Sequence, residues 1–411
     1  MANPLPIERR SPPEVALLIE TSTTFGRNVL RGVSLYLREN GPWTVRFEQR
    51  SIREGIPPWL KRWHGAGVLS RLADPAMAEF SESTGIPVVD LNEQIADLGL
   101  PLVFNDQQAI GRMAAEHLLD RGFTQFGYIG QKGGYWSDGR LEGFANTVQA
   151  AGFSCDEFQG KGKTPRDYQR RIWETETDLV EAWARRLPKP AGVMACNAFR
   201  GLQLLEACRT VGVAVPEQLA LITGDDEEVV CDLTVPPLSA VVNADRQIGY
   251  EAAALLDMLM HGHPAPQQQL YVPPLGIARR TSTDVTAISD PVVASAVQFI
   301  RKHACDGIKI DEVLRHVLVS RSVLQNRFRD TLGRTIHEVI TNVRIQRAME
   351  LLVQTSLSLD DIAKRAGFRH QQYMNEVFRG KTETTPGKYR KEHGRKVDRP
   401  FQSVPLRRQG A

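Results

Sequence analysis

The chain has 411 residues, 42% hydrophobic and 24% charged, which predicts two or three packed domains and excludes disorder as its main state. No apolar run is long enough to span a bilayer, and the start, residues 1–13, lacks the apolar segment of a secretory signal. The net charge of +3 is uneven: residues 291–411 hold 23 Lys+Arg against 12 Asp+Glu and residues 1–290 hold 28 against 36, so an acidic body carries a basic end suited to a polyanion.

Residues 15–19 read as a buried strand. Residues 27–38 read as a helix with Val29, Leu30, Val33, Leu35 and Leu37 on its apolar side. Strand candidates follow at 44–48, 67–69, 87–91 and 102–104, with a helix at 76–83. Residues 109–121 form a predicted helix stopped by Gly122, 126–129 a strand, and 139–150 a helix stopped by Gly152. The alternation continues at 179–186, 193–196, 201–211, 219–223 and 246–261. Such strand–helix–strand runs with short connections predict parallel sheets with helices on both faces. Residues 275–290 read as a last short strand and a linker. From Pro291 everything reads as helix, and the tail 394–411 is expected to be disordered.

Two helix pairs in the basic part have the layout of helix-turn-helix units. In the first, 310–319 is followed by 320–332, with Ser320 as N-cap, Leu324 and Phe328 inward, and Gly333 as the stop. Arg321, Ser322, Gln325, Asn326 and Arg329 then face outward, where they can bind phosphate or read base edges. In the second, Ser358-Leu359-Asp360-Asp361 has a capping-box form, and Ile362, Ala363 and Ala366 make the inner face. Its next helix, 370–379, is expected to turn Tyr373, Val377 and Phe378 inward and Arg369, His370, Gln371, Gln372 and Asn375 outward. Between the pairs, Ile336, Val339, Ile340, Val343, Ala348, Leu351 and Leu352 trace one stripe of a long bracing helix over 335–354. Two recognition helices on one rod suit major-groove faces about 34 Å apart.

These residues resemble the AraC/XylS-type regulator domain. The match runs through SRSVLQNRFRDTLG (320–333), RIQRAMELL (344–352), IAKRAGF (362–368), Phe378-Arg379 and TPGKYR (385–390). Glu383 and Met374 depart from that pattern. The first 285 residues resemble the sugar-binding domain of LacI-type repressors, similar in turn to periplasmic sugar-binding proteins. The carrying motifs are Asn105-Asp106, RLEGF (140–144), Gly224-Asp225-Asp226, the Pro236–Ser239 run and PLGIARRTST (274–283). The order of the two domains, together with IRKHACDGIKI (300–310), is similar to the bacterial xylose-operon regulators.

The resemblance implies a two-lobed α/β domain of parallel sheets flanked by helices, then an all-α domain with two helix-turn-helix units. The implied division is a flexible start (1–13), a sugar-sensing domain (14–284), a linker (285–291), a DNA-binding domain (292–393) and a basic tail (394–411). It further implies a cytoplasmic, sugar-responsive regulator, most simply an activator of xylose genes. Its partners would be double-stranded DNA, a sugar such as D-xylose, a second copy of the chain and RNA polymerase, with no membrane. Sugars are held by planar polar side chains on their hydroxyls and aromatic rings on their apolar faces. Phe25, Trp136, Arg140, Asn197 and Asp225 stand after predicted strands and are the candidates. Arg140, Asn197 and Asp225 match LacI-type effector positions. Each has a structural alternative: core aromatic for Trp136, ion pair for Arg140, helix cap for Asn197.

Other classes fit less well. Gly160–Thr164 hints at a phosphate loop, but Glu157 stands where the required glycine belongs, and no other catalytic signature is present. The five cysteines are scattered and read as reduced thiols, so no disulfide, metal or cofactor is expected. A transport-type binding protein would leave the basic helices without a use. A regulator answering to another sugar, a phosphorylated sugar or a different metabolite stays open.

Overall fold

The computed structural model describes residues 12–393 except 51–53, 73, 93–97, 132, 161–171, 286–287, 289 and 383. Most of the 160–164 run, Glu383, the tail 394–411 and the start 1–11 therefore lie outside the described residues. The chain separates into two compact units, residues 1–289 and 290–411.

The first unit has two lobes, each built on a six-stranded sheet. The first sheet takes β1 (Glu14–Leu18), β2 (Thr44–Glu48), β3 (Gly67–Ser70), β4 (Val88–Asp90) and β5 (Leu102–Asn105). The second takes β6 (Gln125–Gly130), β7 (Cys155–Gln159), β8 (Ala191–Ala195), β9 (Leu219–Thr223) and β10 (Ser239–Val242). β11 (Gln269–Val272) returns to the first sheet and β12 (Gly276–Ala278) to the second. The strand orders are β11-β5-β4-β3-β1-β2 and β12-β10-β9-β8-β6-β7. Pairing is parallel throughout, with Val15 level with Val45 and Gly67, except that β10 and β12 run antiparallel. The chain thus crosses between lobes three times, after β5, after β10 and after β11, and the three crossings form a hinge.

Central strands are buried on both faces, which is why β3, β8 and β9 read as unbroken apolar runs. Val15 and Leu17 of β1 and Ile19 just after it pack with Ile248 and Leu256, while Ala16 and Leu18 pack oppositely with Trp63 and Phe80. Each such side chain contributes roughly 1.5–3 kcal/mol by leaving water. In the second lobe Ile129 and Val193 face Trp183, and Tyr128 and Met194 face Phe144.

The structure corrects several spans. One helix starts at Tyr135 and runs to Ala150, four residues earlier than expected, so Trp136 and Arg140 lie one turn apart on the same helix. Strands β7, β10 and β11 and the short helix Glu228–Leu233 carry no periodic signal in the sequence. β7 and β11 are sheet edges with mixed exposure, so no apolar run marks them.

The second unit consists of helices Pro291–His303, Ile310–Val317, Arg321–Leu332, Ile336–Gln354, Leu359–Arg365, Gln371–Thr382 and Pro386–His393. Their starts are capped by side chains: Asp290 accepts from Val292 N at 2.8 Å, Ser320 from Val323 N at 3.4 Å and Ser358 from Asp361 N at 3.1 Å. Thr335 and Glu338 cap each other reciprocally. Arg344 on the long helix donates to the carbonyls of Ala304 (2.9 Å) and Ile308 (2.7 Å), tying the rod to the first helices. Of its expected stripe, Val343 is only half-buried, and Ile345 and Met349 are buried in addition, because the rod packs against helices on more than one side.

Candidate effector cleft and nucleic-acid interface

The carboxyl ends of parallel strands leave backbone and side-chain groups directed into a crevice. Here Glu20 follows β1, Arg71 follows β3, Asp90 ends β4 and Asn105 ends β5; in the other lobe Asn197 follows β8, Asp225 follows β9 and Asn243 follows β10.

Arg140 is 3% exposed. Its helix lies so close to the helix Gln107–Leu119 that a Cβ on Gly111 would come within 2.0 Å of the Arg140 carbonyl oxygen. That crossing delivers Gln107, whose Oε1 accepts from Arg140 Nε at 2.7 Å. Arg140 Nη1 donates to the Cys196 carbonyl and lies 3.7 Å from Asp225 Oδ2. Asp225 Oδ1 accepts from Ala198 N at 2.7 Å. Burial pushes the Asp225 carboxyl up, opposed by Arg140 and by that N–H. Asn197 uses its Oδ1 to cap the same helix, accepting from Arg200 N at 2.8 Å, so its structural alternative is realised. Trp136 stacks near Arg140, 5.1 Å from ring centroid to guanidinium carbon, and packs with the core of its lobe.

In the first lobe Phe25 is half-buried and lies under the Arg71 guanidinium, 4.2 Å from its ring centroid. Arg71 pairs with Glu20. Burial of Glu20 pushes its carboxyl up, but Arg71 and the hydroxyls of Ser22 and Thr23 outweigh this and hold it below its usual range. The structure therefore groups Trp136, Arg140, Asn197 and Asp225 in one lobe and sets Phe25 in the other.

Asn105, Asn243 and Asp245 were not among the sequence candidates for this cleft. Asn105 Oδ1, Asn243 Oδ1, Asp245 Oδ1 and Trp136 Nε1 are buried without a hydrogen-bond partner among the described residues. Asp245 Oδ2 accepts from Asn28 Nδ2 at 3.4 Å. Burial raises its pKa to about 6, with Asp225 adding to the rise and Asn28, Arg71 and Arg140 opposing it. The shared influence of Asp225, Arg71 and Arg140 marks these groups as one electrostatic neighbourhood spanning both lobes. Burial pushes the Asp90 carboxyl up to about 7, against N–H bonds from Asn92 and Leu91. Position after a strand was the available signal for Asn105; nothing local singled out Asp245.

In the second unit the outward set Arg321, Ser322, Gln325, Asn326 and Arg329 is exposed, with Leu324 and Phe328 fully buried beneath it. The second recognition helix packs Tyr373, Val377 and Phe378 on the core as expected, and Met374 joins them, so its inner face is broader than the sequence suggests. Met374 and Phe378 are buried and Tyr373 and Val377 are half-buried, so Met374 is a core residue. Arg369, His370 and Gln372 are exposed and Gln371 is half-buried. His370 Nδ1 accepts from Tyr373 N at 3.2 Å, so it caps the helix. Asn375 is half-buried with its Oδ1 buried and unpartnered, so it does not stand fully outward.

Residues 115–283 match the periplasmic binding protein-like domain family, and residues 313–392 match a helix-turn-helix domain family. An effector-type cleft joined in one chain to helix-turn-helix units defines a ligand-responsive, DNA-binding transcription regulator. The xylose operon regulatory protein of Escherichia coli (strain K12) is 32% identical over 384 residues, 92% of this chain and 96% of that protein. Its counterpart in Haemophilus influenzae is 30% identical over 92% of this chain and 98% of its own. A solved xylose-binding transcription activator aligns over 93% of this chain and 99% of its own, with a TM-score of 0.58 and 29% identity. The chain belongs to the family of xylose operon regulatory proteins. Among the described residues no helix is long and apolar enough to cross a membrane.

Proposed function

We propose that the cleft binds a neutral pentose, D-xylose, and that binding raises the affinity of the second unit for paired DNA half-sites in a cytoplasmic homodimer that activates transcription. The observation that carries the ligand class is a group of four buried polar atoms at the cleft that have no partner among the described residues. Three are acceptors, Asn105 Oδ1, Asn243 Oδ1 and Asp245 Oδ1, and one is a donor, Trp136 Nε1. Buried polar groups cost free energy until paired, and sugar hydroxyls both donate and accept. Arg140 orients on vicinal hydroxyls beside Asp225, and Trp136 and Phe25 cover apolar sugar faces. The names of the relatives favour xylose among pentoses.

A phosphorylated sugar is disfavoured. Arg71 and Arg140 already face Glu20 and Asp225, so neither cation is left over to neutralise a phosphate dianion. On the DNA side, Arg321, Ser322, Gln325, Asn326 and Arg329 enter one major-groove segment. Arg369, Gln371 and Gln372, with His370 and Asn375 at the rim, enter the next, and RNA polymerase is the downstream contact. The ligand shifts the equilibrium only by its differential affinity for the two states.

A thermal-shift screen of the full chain against pentoses, hexoses and their phosphates tests this. A selective rise with D-xylose is expected, by mass action on the folded state. A rise for another neutral sugar alone would replace the effector. A rise for phosphorylated sugars alone would overturn the charge argument.

A further inference from the structure

Glu227 lies two residues beyond Asp225, in the segment that leaves β9 of the second lobe. Its carboxylate accepts two hydrogen bonds from Thr24 of the first lobe, one from the backbone N–H and one from the hydroxyl, each at 2.7 Å. Arg27 Nη2, also in the first lobe, lies 3.8 Å from the same carboxylate. Thr24 opens the helix Thr24–Asn40, whose first turn holds no acidic residue of its own. A helix N-terminus carries a partial positive charge and unpaired N–H groups, so it favours a carboxylate. That carboxylate comes from the opposite lobe, 203 residues away in sequence. The Glu227 side chain is 15% exposed and Arg27 42%, which places the contact towards the rim of the cleft, away from the buried unpartnered atoms.

We infer that Glu227 is a closure latch between the lobes: a positioning residue that sets the fraction of closed molecules, and through it the apparent affinity for the effector. The contact joins groups from both lobes, so opening the cleft must break it. An apparent dissociation constant equals the intrinsic one divided by the binding-competent fraction. Both Glu227 oxygens accept from Thr24 of the opposite lobe, so the contact bears directly on lobe closure. The inference rests on the effector lying in the cleft, as proposed above.

The test uses the full chain and D-xylose, with binding followed by calorimetry and release by stopped-flow tryptophan fluorescence. Glu227→Ala is expected to weaken binding roughly tenfold, the worth of hydrogen bonds to a charged group. The loss appears as faster release with little change in association. Glu227→Gln falls between, since its amide oxygen still accepts from Thr24 but lacks charge for the helix end and Arg27. Thr24→Ala weakens binding less, and adding it to Glu227→Ala brings no further loss, because the partner is already gone. Unchanged affinity and release in Glu227→Ala would overturn the latch, as would full additivity of the two substitutions. A second readout is independent of sugar. The Thr24 amide should resist hydrogen exchange in the parent and lose that protection in Glu227→Ala. If the parent binds no sugar, the cleft reading fails by itself, and Thr24 protection still decides the latch: equal exchange in parent and variant overturns it.

Discussion

Replacing Asp245 by asparagine should stabilise the unliganded protein while weakening its hold on the effector. Asp245 is 8% exposed, sits in the first turn of the helix Asp245–Met260 and has one oxygen without a partner. Its pKa rises from an ordinary 3.8 to about 6 in the folded chain. Roughly two decades of proton affinity amount to about 3 kcal/mol against the ionised folded state at neutral pH. That figure already contains the field of its own helix and is an upper bound on the gain from removing the charge. The sign follows from proton counts: between the unfolded and folded pKa values the folded state holds a proton that the unfolded state has released. Stability therefore falls as pH rises from about 4 through about 6 and stays lower above that. Asparagine has the same shape and no charge, so Asp245→Asn removes this slope. Thermal melts without effector should show the variant more stable by about 1–2 kcal/mol at about pH 7.5, a shift of a few degrees, and close to the parent at about pH 4. Effector affinity should fall, because the carboxylate is the stronger acceptor for a sugar hydroxyl. A variant less stable at neutral pH, or one whose gain is the same at both pH values, would refute the reasoning.

Trp136→Phe keeps the ring against its core and deletes the buried, unpartnered N–H. Unliganded melting temperature should hold or rise, and calorimetry should show weaker sugar binding by about 1 kcal/mol or more. Arg329→Ala on the exposed face of the first recognition helix should weaken DNA binding at every sequence and lower the slope of log affinity against log salt by about 1. Asn326→Ala should instead relax base preference at one operator position, by about 1–3 kcal/mol in competition binding. Phe328→Ala, at 0% exposure, should destabilise the second unit by about 3–5 kcal/mol, seen as loss of DNA binding with sugar binding retained in the first unit.

Much of this protein is legible from local pattern because local pattern has local causes. Ser320 before an apolar helix, the Gly122, Gly152 and Gly333 stops, and the i, i+4 pair Leu324 and Phe328 express capping, left-handed backbone and 3.6-residue periodicity, and each needs only its own neighbours. The parallel sheets followed from apolar runs alternating with helices. The second recognition helix shows where this ends. Tyr373 and Met374 are both large, and only the docking of that helix against Ile362 and Leu352 decided that Met374 turns inward beside Phe378. Edge strands such as β7 gave no signal because an edge needs no apolar run. The cleft divides in the same way. Residue type and position after a strand marked Arg140, Asp225 and Trp136. What they touch was decided by the three hinge crossings, which bring residues 20–28, 71, 105, 136–140, 225–227 and 243–245 to one place. Burial of Asp245 and the pairing of Glu227 with Thr24 arise from contacts roughly two hundred residues apart, and no window of sequence contains both partners.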